Sequence, residues 1–376
     1  MNITSVKRIH QSDWRKKGIP FYRARDITAL SKNLNIEEPI FISRDLYEEY
    51  SKISGKVQIN DLLVTGVGTI GVPLLVQTVP LYFKDGNIIW FQNSNKLIGL
   101  FFLYLFKTNT VQKYIHTTTG VGTVPTYTIQ SGKNTPVYIT SKKEQKDIGT
   151  IFQLIDNLIS LQQRKLNDLS SMKSALLQNI FPNTQGIKKI KLSTQEWNLQ
   201  KISSIFKERN QRNKNGMLLS VSISKGVYPF SENDRKDNSS NDKSNYKEVK
   251  INDLAYNSMR MWQGAVGVSK YNGIVSPAYT VITPKKEENP NFYYYYFKNK
   301  RMLFNFRQHS QGLTSDTWNL KFPLFEKILI QVPSDKEEEQ RISSLFKQLD
   351  KSIDLNKIHI EKLTSIKQFL LQNMFI

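Results

Sequence analysis

Cysteine is absent from this chain of 376 residues, which removes disulfides and leaves a structural zinc site without its usual thiolates. Histidine is nearly as scarce. His10, His116, His309 and His359 are the four in the chain, and they show no ligand spacing, so no metal site is expected. Acidic residues are outnumbered, 32 Asp and Glu against 53 Lys and Arg. Long apolar runs are missing too: the longest, Leu97 to Phe106, is about half of what a bilayer span requires. The opening Met1-Asn2-Ile3-Thr4-Ser5-Val6-Lys7 has no apolar signal core, and no lipidation motif or basic amphipathic anchor stands out. These absences point to a cytoplasmic protein with no membrane partner.

The charge that is present is informative. A formal net charge of +21 and a pI near 9.7 suit a chain that meets a polyanion. Nucleic acid is favoured over a membrane surface because the charge is spread along both halves. A hydrophobic content of 39% is enough for two real cores.

The strongest internal signal is a repeat. Leu176-Leu177-Gln178-Asn179-Ile180-Phe181 returns as Leu370-Leu371-Gln372-Asn373-Met374-Phe375, from position 176 to position 370, an offset of 194. The same offset carries Ile148, Phe152, Ile155, Asp156, Ile159, Leu169 and Lys173 onto Ile342, Phe346, Leu349, Asp350, Ile353, Leu363 and Lys367. With Ile148 at heptad position a, the first copy places Ile148, Ile155, Gln162, Leu169 and Leu176 at a, and Ile151, Leu158, Lys165 and Met172 at d. The second copy reads Ile342, Leu349, Asn356, Leu363 and Leu370 at a. Both seams are interrupted at the same position, by Gln162 and Asn356, a known device for fixing register. The e positions are also apolar (Phe152, Ile159, Leu166 and Phe346, Ile353, Ile360), so the stripe is wide enough to serve a further helix or protein. The two helices are expected to pair antiparallel as a spacer, about 50 Å long for roughly 33 residues.

Each half carries an Ile-Asn-Asp-Leu sequence, at Ile59-Asn60-Asp61-Leu62 and Ile251-Asn252-Asp253-Leu254, which reads as a turn feeding a strand. β-rich sequence comes after it (Leu74-Leu75-Val76 and Tyr279-Thr280-Val281-Ile282). An aromatic helix-like run comes next (Ile98 to Tyr114 and Phe292 to Phe306), and then a threonine-bearing loop (Thr117-Thr118-Thr119-Gly120-Val121-Gly122-Thr123 and Ser310-Gln311-Gly312-Leu313-Thr314-Ser315). A stretch of Ser, Asn, Asp and Lys over 230–250 is expected to be a solvated loop. The expected class is α+β: two α/β bodies separated by two long helices in an antiparallel coiled coil, with a pseudo-two-fold internal repeat.

Catalytic motifs are weak. Gly66-Val67-Gly68-Thr69-Ile70-Gly71 fits a dinucleotide-binding pattern, but Val72-Pro73-Leu74-Leu75-Val76 continues as extended sequence where a helix should open. A glycine-rich β-turn is expected instead, and no cofactor. Asn289-Pro290-Asn291-Phe292 is near an adenine methyltransferase motif, yet its third position is Asn, and Asn-Pro introducing a helix is the ordinary reading. No nuclease-like acidic and lysine pattern recurs in both halves. The chain is therefore expected to be non-catalytic. Candidate DNA contacts in the first half are Arg15, Lys16, Lys17, Arg23 and Arg25 around Gly18-Ile19-Pro20-Phe21-Tyr22, with Thr65 and Thr69 in the glycine turn. In the second they are Lys207, Arg209, Arg212, Lys214, Arg260, Gln263, Lys270, Thr314 and Ser315.

Over essentially its whole length the chain resembles the specificity subunits of type I restriction-modification systems. The resemblance rests most on the segment from Asp253 to Ser269 (Asp253-Leu254-Ala255-Tyr256-Asn257-Ser258-Met259-Arg260-Met261-Trp262-Gln263-Gly264-Ala265-Val266-Gly267-Val268-Ser269). Gly273-Ile274-Val275-Ser276-Pro277-Ala278-Tyr279 and the helical repeats introduced by Glu144-Gln145 and Glu339-Gln340 also carry it. Gly18-Ile19-Pro20, Arg23-Ala24-Arg25-Asp26-Ile27 and Val332-Pro333 are similar features. The resemblance implies target-recognition domains at 1–137 and 184–331, each reading half of a split duplex DNA target, and conserved helices at 138–183 and 332–376. Those helices would dock two methyltransferase subunits and recruit restriction or translocase subunits. A Trp-containing segment like Trp197-Asn198-Leu199 should lead into the first domain, and Met1 begins inside the region that such a segment would precede. The first domain is accordingly expected to be abbreviated, or the chain truncated there. Rival readings are the specificity module of a modification-only complex and a non-catalytic coiled-coil or RNA-binding adaptor.

Overall fold

The repeated Ile-Asn-Asp-Leu sequences show why both bodies begin their central strand alike. Asn60 and Asn252 adopt φ of 73° and 72°, a left-handed turn conformation that asparagine tolerates better than most residues. The aspartate after each one accepts a backbone N–H from three residues back, Gln58 to Asp61 and Lys250 to Asp253, both at 2.8 Å. The chain then leaves the turn as a buried strand.

The computed structural model describes residues 1–119, 125–182, 196–232 and 242–375. The glycine end of the first threonine loop (120–124), the start of the second expected recognition domain (184–195) and much of the Ser/Asn/Asp/Lys stretch (233–241) lie outside the described residues. The chain divides into two units, residues 1–164 with 358–376, and residues 165–357.

The first unit contains β1 (Asn2–Thr4), β2 (Ile19–Tyr22), α1 (Ala24–Ser31), β3 (Ile40–Ile42), α2 (Arg44–Ser54), β4 (Leu62–Thr65), β5 (Pro73–Leu75), β6 (Tyr82–Phe83) and β7 (Ile88–Gln92). These are followed by α3 (Gly99–Leu105), α4 (Asn109–Thr118), α5 (Ile129–Lys133) and the first part of the long α6 (Lys142–Asn179). One sheet has the order β1-β7-β4-β5 and a second the order β3-β2-β6. Strand β4 is apolar at consecutive positions because both of its faces are covered. Leu62 and Val64 join Ile89, Phe91, Phe101, Phe102, Ile148 and Phe152 in one core, while Leu63 joins Ile88, Trp90, Phe21, Ile27 and Tyr82 in another.

The second unit contains β8 (Trp197–Lys201), α7 (Ile202–Ile205), β9 (Phe206–Glu208), β10 (Leu219–Ser222), β11 (Gly226–Pro229), β12 (Lys247–Val249), β13 (Leu254–Asn257), β14 (Val266–Val268), β15 (Gly273–Val275) and β16 (Tyr279–Pro284). After them come α8 (Pro290–Phe297), α9 (Lys300–His309), α10 (Phe322–Phe325), β17 (Leu329–Pro333) and the first part of α11 (Lys336–Asn373), whose remainder belongs to the first unit. The main sheet, ordered β14-β13-β16-β9, is antiparallel. It repeats the two-faced burial: Leu254, Tyr256 and Ile282 pack with Phe292, Tyr296, Ile342 and Phe346, whereas Ala255 and Val281 pack with Leu219, Val227 and Val275.

Each aromatic run, read as one helical stretch, is two helices. Thr108 and Asn299 stop the first and cap the second, their side chains accepting from the amides of Val111 and Arg301. Capping of this kind fixes a boundary that apolar periodicity does not reveal. Asn289 caps α8, accepting from the amides of Asn291 and Phe292 with Pro290 in the first turn. The glycine-rich segment 66–71 joins β4 to β5 as an antiparallel hairpin, with Pro73 opening a strand and no helix following.

Within each unit the two long helices run antiparallel. In the first, Phe152 of α6 meets Phe375 with ring centroids 5.7 Å apart, and one turn later Asp156 pairs with Lys367 at 2.6 Å. In the second, Lys173 pairs with Asp350, and just past the end of α6 the Phe181 ring stacks on Phe346 at 6.2 Å. Advancing along one helix means retreating along the other. The two ion pairs are equivalents under the repeat, since Asp156 maps to Asp350 and Lys173 to Lys367.

The buried columns of the long helices differ from the expected a and d positions. Phe152 and Phe346 at e are buried, as are Ile148 and Ile342 at a, but Ile151, Leu158 and Met172 at d are exposed. The seam runs through a and e, because a 3.6-residue period places those two columns on the face that meets the bodies and the partner helix.

Candidate nucleic-acid interface

Basic side chains can face a polyanion only if the fold leaves them unspent, and several candidates are spent. Arg23 forms a fork on Asp26 at 2.7 and 3.0 Å and donates to the Glu38 carbonyl at 3.0 Å, with its side chain 15% exposed. Arg209 does the same on Asp253, at 2.6 and 3.1 Å, and lies 3.6 Å from Glu248. Asp253 is the aspartate of the repeated turn, which explains the arginine: a buried carboxylate needs a charged or hydrogen-bonding partner. In the first unit the equivalent Asp61 is served by the Trp90 indole at 2.8 Å. Thr65 is wholly buried, its hydroxyl donating to the Thr69 carbonyl and accepting from the Val72 amide. The fold thus commits the polar groups of Arg23, Arg209 and Thr65 to internal partners.

The remaining candidates are at the surface. In the first unit Arg15, Lys16 and Lys17 are exposed on the loop entering β2, where Arg15 donates to the carbonyls of Ser12 and Trp14. Arg25 is exposed and pairs with Glu38 at 3.2 Å. Thr69 is exposed at the tip of the β4–β5 turn. In the second unit Lys207 on β9, Lys214 and Lys270 are exposed. Arg212 is exposed as well and donates to the Asn245 carbonyl.

Four of the second unit's candidates are brought together. Arg260 and Gln263 lie in the turn after β13, and the loop over 310–319, with Thr314 and Ser315, packs on that turn. The Leu320 amide donates to the Ser258 carbonyl at 2.8 Å, Arg260 is 3.8 Å from Asp316, and the Trp262 and Trp318 rings meet edge to face at 5.2 Å. Arg307 lies over the Trp318 ring at 4.8 Å. Gln311 and Asn319 close the base of the loop with paired backbone bonds of 3.0 and 2.7 Å. The result is a stiff, exposed loop beside a half-exposed arginine, with hydroxyl and guanidinium groups that suit phosphate oxygens or base edges. Composition did not single out Trp262, Arg307 or Trp318; a tryptophan close after Arg260 and another close after Thr314 were the available signal.

Each unit also ties its body to the long helices in the same way. Tyr104 donates to Asp156 and Tyr295 to Asp350, both at 2.8 Å, and each carboxylate also holds the lysine of the opposite helix. Burial raises both phenol pKa values far above the ordinary range, aided by the adjoining carboxylates. Among the described residues no group of histidine and acidic side chains could hold a metal, and no helix is long and apolar enough to cross a membrane.

Comparison with known proteins bears on this doubled architecture. A family model described as type I restriction modification DNA specificity domain matches twice, over residues 2–171 and 194–365. Those matches span both halves of the internal repeat. Over 105 residues the chain is 30% identical to a Haemophilus influenzae protein described as a putative type I restriction enzyme specificity subunit. That alignment covers 28% of this chain and 26% of the relative, so the chain matches about a quarter of that protein's length. Its fold is similar to that of the type I restriction-modification S subunit from M. genitalium, with a TM-score of 0.58, 12% identity, and coverage of 100% of this chain and 93% of that one. It is also similar to the HsdS subunit from Thermoanaerobacter tengcongensis, with a TM-score of 0.50, 12% identity, and coverage of 96% and 93%. Matched in both halves by the same model, the chain belongs to the type I restriction modification DNA specificity family.

Proposed function

We propose that this protein is the DNA-reading subunit of a type I restriction-modification complex, without catalytic activity of its own. The observation that carries the reading is a common frame displaying two different surfaces. Both units repeat the Ile-Asn-Asp-Leu turn, the capped helix pair and the Tyr-Asp-Lys tie to the long helices. Their exposed loops, in contrast, share little sequence. Such a design lets each body read its own half of a split duplex target while the frame sets their separation. Residues 1–137 and 184–331 would be the recognition domains, and 138–183 and 332–376 the spacer. Arg260, Gln263, Thr314 and Ser315 would meet DNA in the second domain, with Lys207, Arg212, Lys214 and Lys270 around them. Arg15, Lys16, Lys17, Arg25 and Thr69 would do so in the first.

The long helices supply a docking surface for two methyltransferase subunits and, through them, restriction or translocase subunits. Ile151, Leu154, Leu158 and Leu161 are exposed along one stripe of α6, and Ile358, Ile366 and Phe369 are exposed on α11. An apolar stripe left open on a helix suits a partner helix. The test is to assemble the chain with its methyltransferase subunits and map methylated sites across the host genome by methylation-sensitive sequencing. A motif of two fixed blocks with a constant gap is expected. Methylation without a split motif, or an assembly whose duplex affinity is independent of sequence, would refute the proposal.

A further inference from the structure

One side chain on the second unit's loop has no role in the fold. Leu313 is 100% exposed, at the tip of a loop in which every other residue from 310 to 317 is polar or glycine. A leucine that touches nothing is not retained for packing, although single exposed apolar residues are common enough to need a second argument. The construction of the loop sets this leucine apart. Gly312 has φ of +142°, and a Cβ there would meet the Thr317 carbonyl group at 2.6 Å, so the turn behind Leu313 is one that glycine permits. Ahead of it, the Thr314 amide donates to the Thr317 hydroxyl at 3.1 Å, that hydroxyl donates back to the Thr314 carbonyl at 3.0 Å, and the Trp318 amide reaches the same carbonyl at 3.1 Å. With the Gln311–Asn319 closure below and the Trp262–Trp318 contact beside it, the loop presents an apolar tip in a fixed position. Preorganised presentation of this kind favours binding, because little ordering remains to be done.

We infer that Leu313 is a base-reading residue that contacts the 5-methyl group of a thymine in the major groove. This rests on the reading of the chain as a DNA-recognition subunit and deepens it. The surroundings favour DNA over a protein partner: Thr314 and Ser315 follow the leucine, Arg260 lies 3.8 Å from Asp316 of the same loop, and no second apolar residue lies within 310–317. In the major groove the thymine methyl is the apolar feature that a leucine can distinguish, beside donors and acceptors within reach of Arg260 and Gln263.

The experiment uses the full chain assembled with its methyltransferase subunits and a duplex carrying the motif found by methylation sequencing. Each thymine of the motif is replaced in turn by deoxyuridine, which removes only the methyl group. Wild type should lose about fourfold in affinity at one position in one half-site, the worth of one buried methyl group. Leu313→Ala should lose a similar factor on the unmodified duplex and be indifferent to deoxyuridine at that position. The inference is overturned if Leu313→Ala binds every duplex like wild type, if it weakens cognate and non-specific DNA alike, or if it weakens methyltransferase co-purification while sparing DNA affinity. Failure of the underlying reading would look different, since wild type itself would then show no preference for the motif.

Discussion

Replacing Arg209 with alanine separates a residue that holds the fold from one that reads DNA. The Arg209 fork covers a carboxylate whose side chain is 2% exposed, and the guanidinium is itself 13% exposed. Removing one partner of a buried ion pair costs about 3–5 kcal/mol, because the remaining charge is left desolvated. Asp253 keeps the Lys250 amide and the Thr283 hydroxyl, both at 2.8 Å, so the lower end, about 3 kcal/mol, is expected. For a body of this size that lowers the melting temperature by roughly 6–12 °C. The assay is thermal unfolding of Arg209→Ala beside Lys207→Ala, two residues away and exposed, which is expected to stay within about 0.5 kcal/mol. DNA affinity measured well below both transitions should be retained by Arg209→Ala. An unchanged melting temperature together with a selective loss of cognate binding would refute the structural assignment and return Arg209 to the DNA surface.

Three further outcomes are expected. Tyr104→Phe and Tyr295→Phe each delete a hydrogen bond to a carboxylate and should each cost about 1–2 kcal/mol in the unit concerned; calorimetry showing no shift for either would remove the tie between body and helices. Lys298 is pushed down to about 8 by burial, then by the Lys173 charge, with Asp350 opposing. Its folded-state pKa thus lies below the unfolded value of about 10.4. The charged form therefore works against folding: the penalty is full below about pH 8 and is relieved as pH rises toward about 10. Stability of wild type relative to Lys298→Met, followed by urea unfolding, should rise across that window, and a flat difference would contradict the burial argument. Exchanging 184–331 for the equivalent region of a related protein should change one half of the methylated motif and leave the other intact; a hybrid altering both halves would contradict modular reading.

Much of this protein is determined by its sequence alone. The offset of 194 is visible without coordinates, and it foretold two helices bearing the same charges, because Asp156, Lys173 and their repeats lie at fixed places on an α-helical period. The Ile-Asn-Asp-Leu turns were legible for a local reason: asparagine tolerates the left-handed conformation, and the next carboxylate closes the turn on itself. Other properties needed the tertiary structure. Which column of each helix is buried depended on where the bodies lie, so Ile151 and Leu158 are exposed while Phe152 is covered. Whether an arginine faces solvent depended on distant partners: Arg209 is claimed by Asp253, 44 positions away, whereas Arg260 remains half-exposed beside the loop that carries Leu313. Periodicity and turn chemistry act between residues close in the chain and can be read there. Burial and ion pairing are settled by what the fold brings alongside, and they decided which of the many basic residues are left at the surface.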